Sequence, residues 1–294
     1  MAQMPAATRQ PKPKTEPKED FFEGPPAATA APKQISPTRF EDPPPEVGHR
    51  VVIHGRGGVG KSSLADLAPG PVVSFDLDGS LGVLQPPHTQ RVVGIETWDD
   101  LLKGLKDLGA WEKVKTLVVD SGTKAEELAL KWTLTNVPAN STGGHATSIE
   151  GYGYGKGYTY LADTWGQLLA ALDAHAEAGR NVILICHSCT QMVPNPHGED
   201  AMRYEPRLQA PSGGKASNRL RTLEWADHML FMDFDTAVNK ENKAQAGGTR
   251  TLYYTETGWA MAKNRMGLTG SDPVVAGSDA IWRKVFGLDA KEEK

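Results

Sequence analysis

The stretch VVIHGRGGVGKSS, residues 51–63, limits the folds that the rest of the chain can adopt. Val51, Val52 and Ile53 form a short apolar run, which is typical of a buried β-strand. Residues 55–62 follow at once and satisfy the pattern G-x-x-x-x-G-K-[ST], which requires a strand before it and a helix after it. The stretch therefore predicts a strand, a phosphate-binding loop and a helix.

The loop residues have the chemistry needed to hold a nucleoside triphosphate. Glycines let backbone N–H groups curl around phosphate oxygens, Lys61 can reach the β- and γ-phosphates, and the Ser62 hydroxyl can ligate Mg²⁺. We therefore expect ATP and Mg²⁺ as ligands. The residues expected to bind the nucleotide are Gly55, Arg56, Gly57, Gly58, Val59, Gly60, Lys61, Ser62 and Ser63.

A magnesium site at such a loop needs a carboxylate from a nearby strand, because Mg²⁺ prefers oxygen ligands in an octahedral shell. The segment KTLVVDS places Asp120 directly after four strand-forming residues. We expect Asp120 to share the metal with Ser62. The alternative is an aspartate that only ends a strand and starts a turn.

Two further carboxylates follow the next expected strand, in SFDLDGS. Asp76 and Asp78 are separated by one residue, so in an extended chain they share a face. Hydrolysis needs a carboxylate to orient and deprotonate the attacking water, and this pair supplies candidates. The alternative is a polar strand end that leads into a turn at Gly79.

Beyond the loop, the sequence alternates between strand and helix patterns. The predicted strands span residues 71–76, 91–95, 116–120, 181–186, 228–233, 249–255 and 259–263. Helices are predicted over residues 97–109, from about residue 123, and over a segment that ends at Gly179. This alternation predicts an α/β fold with a mainly parallel central sheet flanked by helices.

The N-terminal segment has a different composition. Residues 1–48 hold 11 of the 21 prolines and no leucine, tryptophan or tyrosine, so they cannot bury enough apolar area to offset the entropy of ordering them. We expect a disordered tail over residues 1–48, which leaves 294 − 48 = 246 residues. We divide these into a core over residues 49–270 and an extension over residues 271–294.

Charge and cysteine content exclude several classes of protein. A net charge of −4, from 32 basic and 36 acidic residues, argues against a globally basic nucleic-acid binder. No apolar run approaches the length of a membrane span, and no apolar signal segment is visible, so we expect no membrane partner and a cytoplasmic protein. Cys186 and Cys189, with His187 and His197 nearby, leave a zinc site as an alternative to inert packing.

The order of these motifs resembles the RecA-like ATPase core over residues 51–269, most closely the compact phage RecA-like ATPases associated with single-strand annealing recombination. The resemblance implies a Walker A motif at GRGGVGKSS and a Walker B motif at LVVDS. It places Asp78 at the catalytic glutamate position, one methylene shorter, and His187 at the position of a γ-phosphate sensor that is normally glutamine. It also implies a bacterial cell that is phage-infected or carries a prophage.

The same resemblance implies an oligomer. The segment AMAKNRMGL is similar to the family's K-N-[KR] segment, which reaches into the nucleotide site of the neighbouring subunit. Lys263 and Arg265 would then stabilise phosphoryl charge in trans, and the protein would form a filament or ring. The alternative is a solvated basic strand end.

RecA-like cores hold single-stranded DNA on two loops, and both regions are long in this sequence. GYGYGKGYTY combines aromatic residues with glycine and a cation, which suits base stacking, although the tyrosines could instead pack on the next helix. Residues 191–221 carry five cations, which could neutralise phosphates or belong to a solvated helix face. We expect sequence-independent binding of single-stranded DNA, with a single-strand-binding protein as a further partner. The candidate DNA-binding residues are Tyr152, Tyr154, Lys156, Arg203, Arg207, Lys215 and Arg219.

Two other interpretations stay open. The loop is also similar to the deviant Walker A motif of partition and positioning ATPases, whose signature lysine would fall at Arg56. Only about ten residues separate Lys61 from the second strand, however, which is short for the long first helix of those proteins. The replacements at Asp78 and His187 also allow a nucleotide-binding scaffold with little turnover.

Overall fold

A computed structural model of the chain describes residues 47–195, 198–212, 216–238 and 244–289. The expected disordered tail lies outside these residues except for Val47 and Gly48. Across the part that is described, no helix combines the length and the apolar character needed to cross a membrane.

Nine strands and seven helices are described, together with two 3₁₀ turns at Leu108–Trp111 and Ile149–Tyr152. The strands are β1 Arg50–Gly55, β2 Val72–Asp76, β3 Thr89–Val92, β4 Thr116–Asp120, β5 Asn181–Val193, β6 Ala201–Pro206, β7 His228–Val238, β8 Ala244–Tyr253 and β9 Ser271–Pro273. The helices are α1 Lys61–Asp66, α2 Leu81–Leu84, α3 Trp98–Lys106, α4 Gly122–Asn136, α5 Lys156–Glu177, α6 Asn218–Trp225 and α7 Ala280–Val285.

The strands form one mixed sheet in the order β3-β2-β4-β5-β1-β7-β8-β9, with β6 paired to β5. The six strands from β3 to β7 in this order are parallel, whereas β8, β9 and β6 run antiparallel to their neighbours. The predicted α/β class with a mainly parallel central sheet is confirmed. Since parallel strands end at the same edge, the carboxyl ends of β1, β2, β4 and β5 meet there.

The core lies on both faces of the sheet because successive strand side chains point to opposite sides. Val52 and Leu117 pack with the α3, α4 and α5 helices on one face, whereas Val51 and Ile53 pack with α1 and α7 on the other. Trp282 of α7 is 1% exposed, and its indole N–H donates to Leu64 O of α1 at 2.7 Å. Within the expected extension beyond residue 270, β9 pairs with the sheet and α7 packs on its core.

Several predicted boundaries differ from those in the structure. The third strand begins two residues before the predicted position, and β5 continues seven residues beyond Cys186. The predicted strand over residues 259–263 is wrong, because this segment makes only isolated bridges such as Met229 with Lys263. The helix predicted from about residue 123 begins at Gly122, and Ser121 caps it by accepting a hydrogen bond from the Lys124 N–H at 3.2 Å. The helix predicted over residues 97–109 is present as α3, and it begins with a capping box formed by Thr97 and Asp100.

Candidate functional site

The glycine-rich loop closes around the ammonium group of Lys61. Lys61 is 6% exposed, and its Nζ donates to Gly55 O at 3.0 Å and to Arg56 O at 2.8 Å. Burial lowers the pKa of Lys61. Gly58 and Gly60 have positive φ angles of 75° and 100°, which glycine adopts at little steric cost. The loop thus holds one desolvated cation among exposed backbone groups.

Ser62 and Asp120 meet at the carboxyl end of β4. The Ser62 hydroxyl donates to Asp120 Oδ2 at 2.5 Å. Asp120 is 4% exposed, so burial raises the pKa of its carboxyl, while the hydrogen bond from Ser62 acts in the opposite direction. A hydroxyl and a carboxylate oxygen are hard donors of the kind that Mg²⁺ takes, and a desolvated carboxylate is stabilised by a cation. These residues therefore fit a magnesium ion.

Asp78 faces the sensor-position histidine across the end of the sheet. His187 Nε2 lies 3.3 Å from Asp78 Oδ2, and this hydrogen bond lowers the pKa of Asp78 while burial opposes the shift. The backbone N–H of His187 donates to Thr123 Oγ1 at 3.0 Å, which fixes the histidine relative to α4. The pair places a carboxylate and an imidazole where a water molecule could be oriented.

The expectation that Asp76 and Asp78 share a face is wrong. The extended chain ends at Asp76, and the N–H groups of Leu77 and Asp78 both turn to Asp120 O, at 2.6 and 3.3 Å. The Asp76 carboxylate instead accepts hydrogen bonds from the N–H groups of Ser80 and Leu81 at the start of α2. Asp76 therefore has a structural role, and Asp78 is the carboxylate left for chemistry.

A cleft of about 740 Å³ brings these residues together. Eight predicted residues line it: Gly58, Gly60, Lys61, Ser62, Ser63, Asp78, Asp120 and His187. The other loop residues do not line it, and Gly57 is exposed. Gly55 and Arg56 accept hydrogen bonds from Lys61, the Arg56 guanidinium pairs with Asp233 at 2.7 Å, and Val59 is buried in the core.

Arg250, which the sequence does not predict as a site residue, also lines this cleft. Arg250 belongs to β8, which returns antiparallel beside β7 and so brings a residue distant in sequence to the loop. No local pattern around RTLYYT marks it, because its position depends on the pairing of β7 with β8.

Lys263 and Arg265 lie at the opposite end of the sheet from this cleft. Lys263 bridges to Met229 near the start of β7, while the loop follows the end of β1, which runs parallel to β7. The Arg265 guanidinium donates to Asp227 Oδ1 at 3.0 Å, and Lys263 Nζ lies 3.5 Å from Glu224 O. Neither cation therefore contributes to the cleft of its own chain.

The tyrosine-rich segment provides one exposed aromatic residue and one buried one. Tyr154 is fully exposed, and Lys156 is exposed at the first position of α5. Tyr152 is 7% exposed, and its single hydroxyl proton is shared between Thr133 O at 2.9 Å and Val137 O at 2.8 Å. The expectation that Tyr152 contacts DNA is therefore wrong, because its ring is buried and its hydroxyl is hydrogen-bonded within the protein.

The second expected DNA region contains the antiparallel ribbon of β5 and β6 and the start of α6. Arg219 is 7% exposed, pairs with Glu205 and donates to Pro206 O and Leu208 O, so it is a structural residue and not a phosphate contact. Arg203 is likewise engaged, with Glu205 and Glu256. Arg207 is exposed, and Lys215 lies outside the described residues.

The cysteines do not form a metal site in the described residues. Cys186 is fully buried beside Gly122, and burial raises the pKa of its thiol. Where the chain is described, no cluster of three or more His, Cys, Asp or Glu residues is placed to hold a metal ion. His197, the other residue considered for zinc, lies outside that part.

Comparison with known proteins identifies the family. A family model described as an AAA domain matches residues 48–266, which include the loop and every residue of the cleft. A search of curated proteins finds no match. The match covers most of the chain and agrees with the loop between β1 and α1 and with the mostly parallel sheet. The chain belongs to this AAA domain family and has the mixed α/β fold of a P-loop nucleoside triphosphatase.

Proposed function

We propose that this protein is a Mg²⁺-dependent ATPase that acts on single-stranded DNA in phage-type recombination or strand annealing. The observation that carries the hydrolytic part is the single cleft in which Lys61, Ser62 and Asp120 face the pair of Asp78 and His187. The DNA part is supported by the motif order and by the exposure of Tyr154, Lys156 and Arg207. Its setting would be the cytoplasm of a phage-infected or prophage-bearing bacterial cell.

Each residue of the cleft has a distinct task in this proposal. Lys61 and the loop amides bind phosphate, and Ser62 and Asp120 would hold Mg²⁺. Bound Mg²⁺ neutralises the charge that develops on the phosphates. Asp78 orients the attacking water and accepts its proton, and His187 donates a hydrogen bond to the γ-phosphate or to that water.

The contacts of His187 support coupling between nucleotide and DNA. The backbone N–H of Arg207 donates to His187 O at 2.8 Å, and β5 runs from His187 directly into the ribbon with β6. Arg207 is exposed, so its guanidinium can reach a DNA phosphate. A shift of His187 on binding the γ-phosphate would thus be transmitted to a DNA-contacting residue through one backbone hydrogen bond.

The aromatic contact to DNA in this proposal is Tyr154, with Lys156 beside it. A fully exposed tyrosine next to an exposed lysine offers a stacking surface and a phosphate contact together. Arg207 joins them as the third DNA-contacting residue of the proposal. A single-strand-binding protein is proposed as a further partner, because it occupies the same DNA.

We also propose that the active form is a filament or ring of identical subunits. Lys263 and Arg265 lie at the opposite end of the sheet from their own cleft, so the cleft that they could complete is that of a neighbour, in exchange for their contacts with Glu224 and Asp227. A head-to-tail arrangement of that kind generates rings or open helical filaments.

The proposal is tested by measuring ATP turnover with no DNA, with a single-stranded oligonucleotide and with the same sequence as duplex. We expect Mg²⁺-dependent turnover that rises with the single strand only, and Lys61→Ala as the inactive control. Stimulation by duplex or by a protein alone would favour a partition ATPase, although α1 has only six residues and Arg56 is paired with Asp233. ATP binding without turnover under every condition would favour a scaffold.

A further inference from the structure

The guanidinium of Arg250 rests directly on the phosphate-binding loop. In the register of β7 and β8, Arg250 stands opposite Phe234, and its guanidinium carbon lies 5.8 Å from the centre of the Phe234 ring. Arg250 Nη1 is 2.5 Å from the position that a Cβ on Gly60 would take. Gly60 therefore leaves the space that this guanidinium occupies, and any side chain at that position would displace it.

The N–H groups of the Arg250 guanidinium have no hydrogen-bond acceptor among the described residues. Arg56 pairs with Asp233, and Arg265 pairs with Asp227. For Arg250, the described ranges provide neither an ion pair nor a side-chain hydrogen bond, only the contact with the aromatic ring. A guanidinium has five N–H donors in a rigid planar arrangement that matches phosphate oxygens. Its position suits an anionic ligand in the cleft.

The sheet order places Arg250 on the other side of the loop from the metal-binding carboxylate. In the order β4-β5-β1-β7-β8, Asp120 and His187 approach β1 from one side and Arg250 from the other. The terminal phosphate belongs beside Asp78, Asp120 and His187, where hydrolysis would occur. Arg250 therefore faces the phosphates held by the loop itself, which ADP and ATP have in common.

Building on the proposed nucleotide site, we propose that Arg250 binds the α- and β-phosphates of the nucleotide held by its own chain. This contact is made in cis, unlike the contacts proposed for Lys263 and Arg265. Because both nucleotides carry these phosphates, Arg250 contributes equally to the binding of ADP and of ATP. Its role is in affinity, and saturating ATP compensates for its loss.

The test is titration of the full-length protein with fluorescent ADP and with a fluorescent, non-hydrolysable ATP analogue. We expect Arg250→Ala to weaken both nucleotides by the same factor, roughly 10- to 100-fold, as removal of a charged hydrogen bond predicts. Arg250→Lys keeps the charge but loses the planar geometry, so an intermediate loss is expected. Lys106→Ala, which removes an exposed charge from α3, is the matched control.

The outcomes separate this inference from the proposed function. If wild-type protein binds neither nucleotide, both fail. If wild-type protein binds, Lys61→Ala does not, and Arg250→Ala binds like wild type, only the inference on Arg250 fails. A loss confined to the ATP analogue would overturn the assignment to the shared phosphates. Thermal unfolding without nucleotide shows whether Arg250→Ala is folded, and Arg250→Lys provides the second reading if it is not.

Discussion

The hydroxyl of Ser62 and the carboxylate of Asp120 are joined by a hydrogen bond of 2.5 Å, although 58 residues separate them in the chain. Ser62 is the second residue of α1, and Asp120 is the last residue of β4. The bond links α1 to β4, two elements that are distant in sequence and that the parallel sheet brings together. The Ser62 hydroxyl and the nearby ammonium of Lys61 stabilise the charged form of this buried carboxylate, but burial outweighs them and the pKa of Asp120 is raised.

Asp120→Asn should separate metal binding from folding. The amide oxygen can still accept from Ser62, but the charge that attracts Mg²⁺ is gone, so Mg²⁺ should no longer tighten ATP binding and turnover should be lost. Asp120 also stabilises the charge of the buried Lys61, so calorimetry without nucleotide checks that the variant is folded. Nucleotide titrations with and without Mg²⁺ test the metal assignment. A variant that still responds to Mg²⁺ would contradict the metal assignment.

Asp78 should be needed for turnover and not for binding. Asp78→Asn keeps the size of the side chain and its contact with His187 but cannot accept a proton, so the rate of hydrolysis should fall by about 10²- to 10⁴-fold with ATP affinity little changed. Asp78→Glu keeps the carboxylate and should retain turnover. Single-turnover measurements at saturating ATP provide the comparison. Equal rates for wild type and Asp78→Asn would remove Asp78 from the mechanism.

The sequence predicted the parts of this site that depend on local pattern. The glycines, Lys61, Ser62 and Asp120 follow a strand or precede a helix at fixed spacing, and the parallel sheet brings them to one edge. Asp78 lines the cleft as predicted. The prediction that it shares a face with Asp76 is wrong, because the chain leaves the extended conformation at Asp76. Arg250 could not be predicted, because it reaches the loop only through the antiparallel pairing of β8 with β7, about 190 residues after the loop in the chain.

Burial decided where the predictions of DNA contacts were wrong. Tyr152 and Arg219 lie in segments whose composition is typical of loops, yet both are packed and hydrogen-bonded. Composition shows which side chains a segment contains, but not which of them are buried in the core. Tyr154 and Arg207 differ from these two only in their exposure, and no periodicity in the sequence distinguishes them.

Tyr154 and Tyr152 make a matched pair for testing DNA binding. Tyr154→Ala should weaken binding of a labelled single-stranded oligonucleotide by about 1–3 kcal/mol, the energy of one stacked base, and should leave thermal stability unchanged. Tyr152→Phe loses the hydroxyl proton that Thr133 O and Val137 O share, and should lower stability by about 1 kcal/mol or more without changing the DNA affinity of the folded protein. Fluorescence polarisation over a salt series, with and without ATP, measures the affinities. The reverse pattern would place the DNA elsewhere.

Glu126 should make stability depend on pH. Burial raises the pKa of Glu126 to about 7, although its carboxylate accepts hydrogen bonds from Asn218 Nδ2 at 2.7 Å and from the Gln209 N–H at 2.8 Å. A carboxyl whose pKa is raised on folding stabilises the fold below the ordinary value of 4.5, and this contribution is lost as pH rises through about 7. Over that range the free energy of unfolding should fall by up to about 3 kcal/mol.

The control for this pH effect is the adjacent residue. Glu126→Gln should remove the pH dependence between pH 5 and 8, whereas Glu127→Gln, at an exposed position of the same helix, should keep it. Asn218 Oδ1 is buried and, where the chain is described, has no hydrogen-bond partner. If the Asn218 amide group rotates by 180°, protonated Glu126 can donate a hydrogen bond to this oxygen. Denaturant unfolding at several pH values measures the effect. Parallel pH profiles for wild type and Glu126→Gln would contradict it.

Mixing two inactive variants should show whether Lys263 and Arg265 act on a neighbour. Lys61→Ala keeps both C-terminal cations but has a defective loop, and Lys263→Ala combined with Arg265→Ala keeps the loop but lacks the cations. Each should be inactive alone, because every interface lacks one part. In a mixed assembly, roughly a quarter of the head-to-tail interfaces combine an intact loop with intact cations, so about that fraction of wild-type turnover should return.

Contacts made within one chain cannot be restored this way, because no single chain in the mixture carries both parts. Turnover of the mixture equal to the sum of its parents would therefore exclude the action in trans.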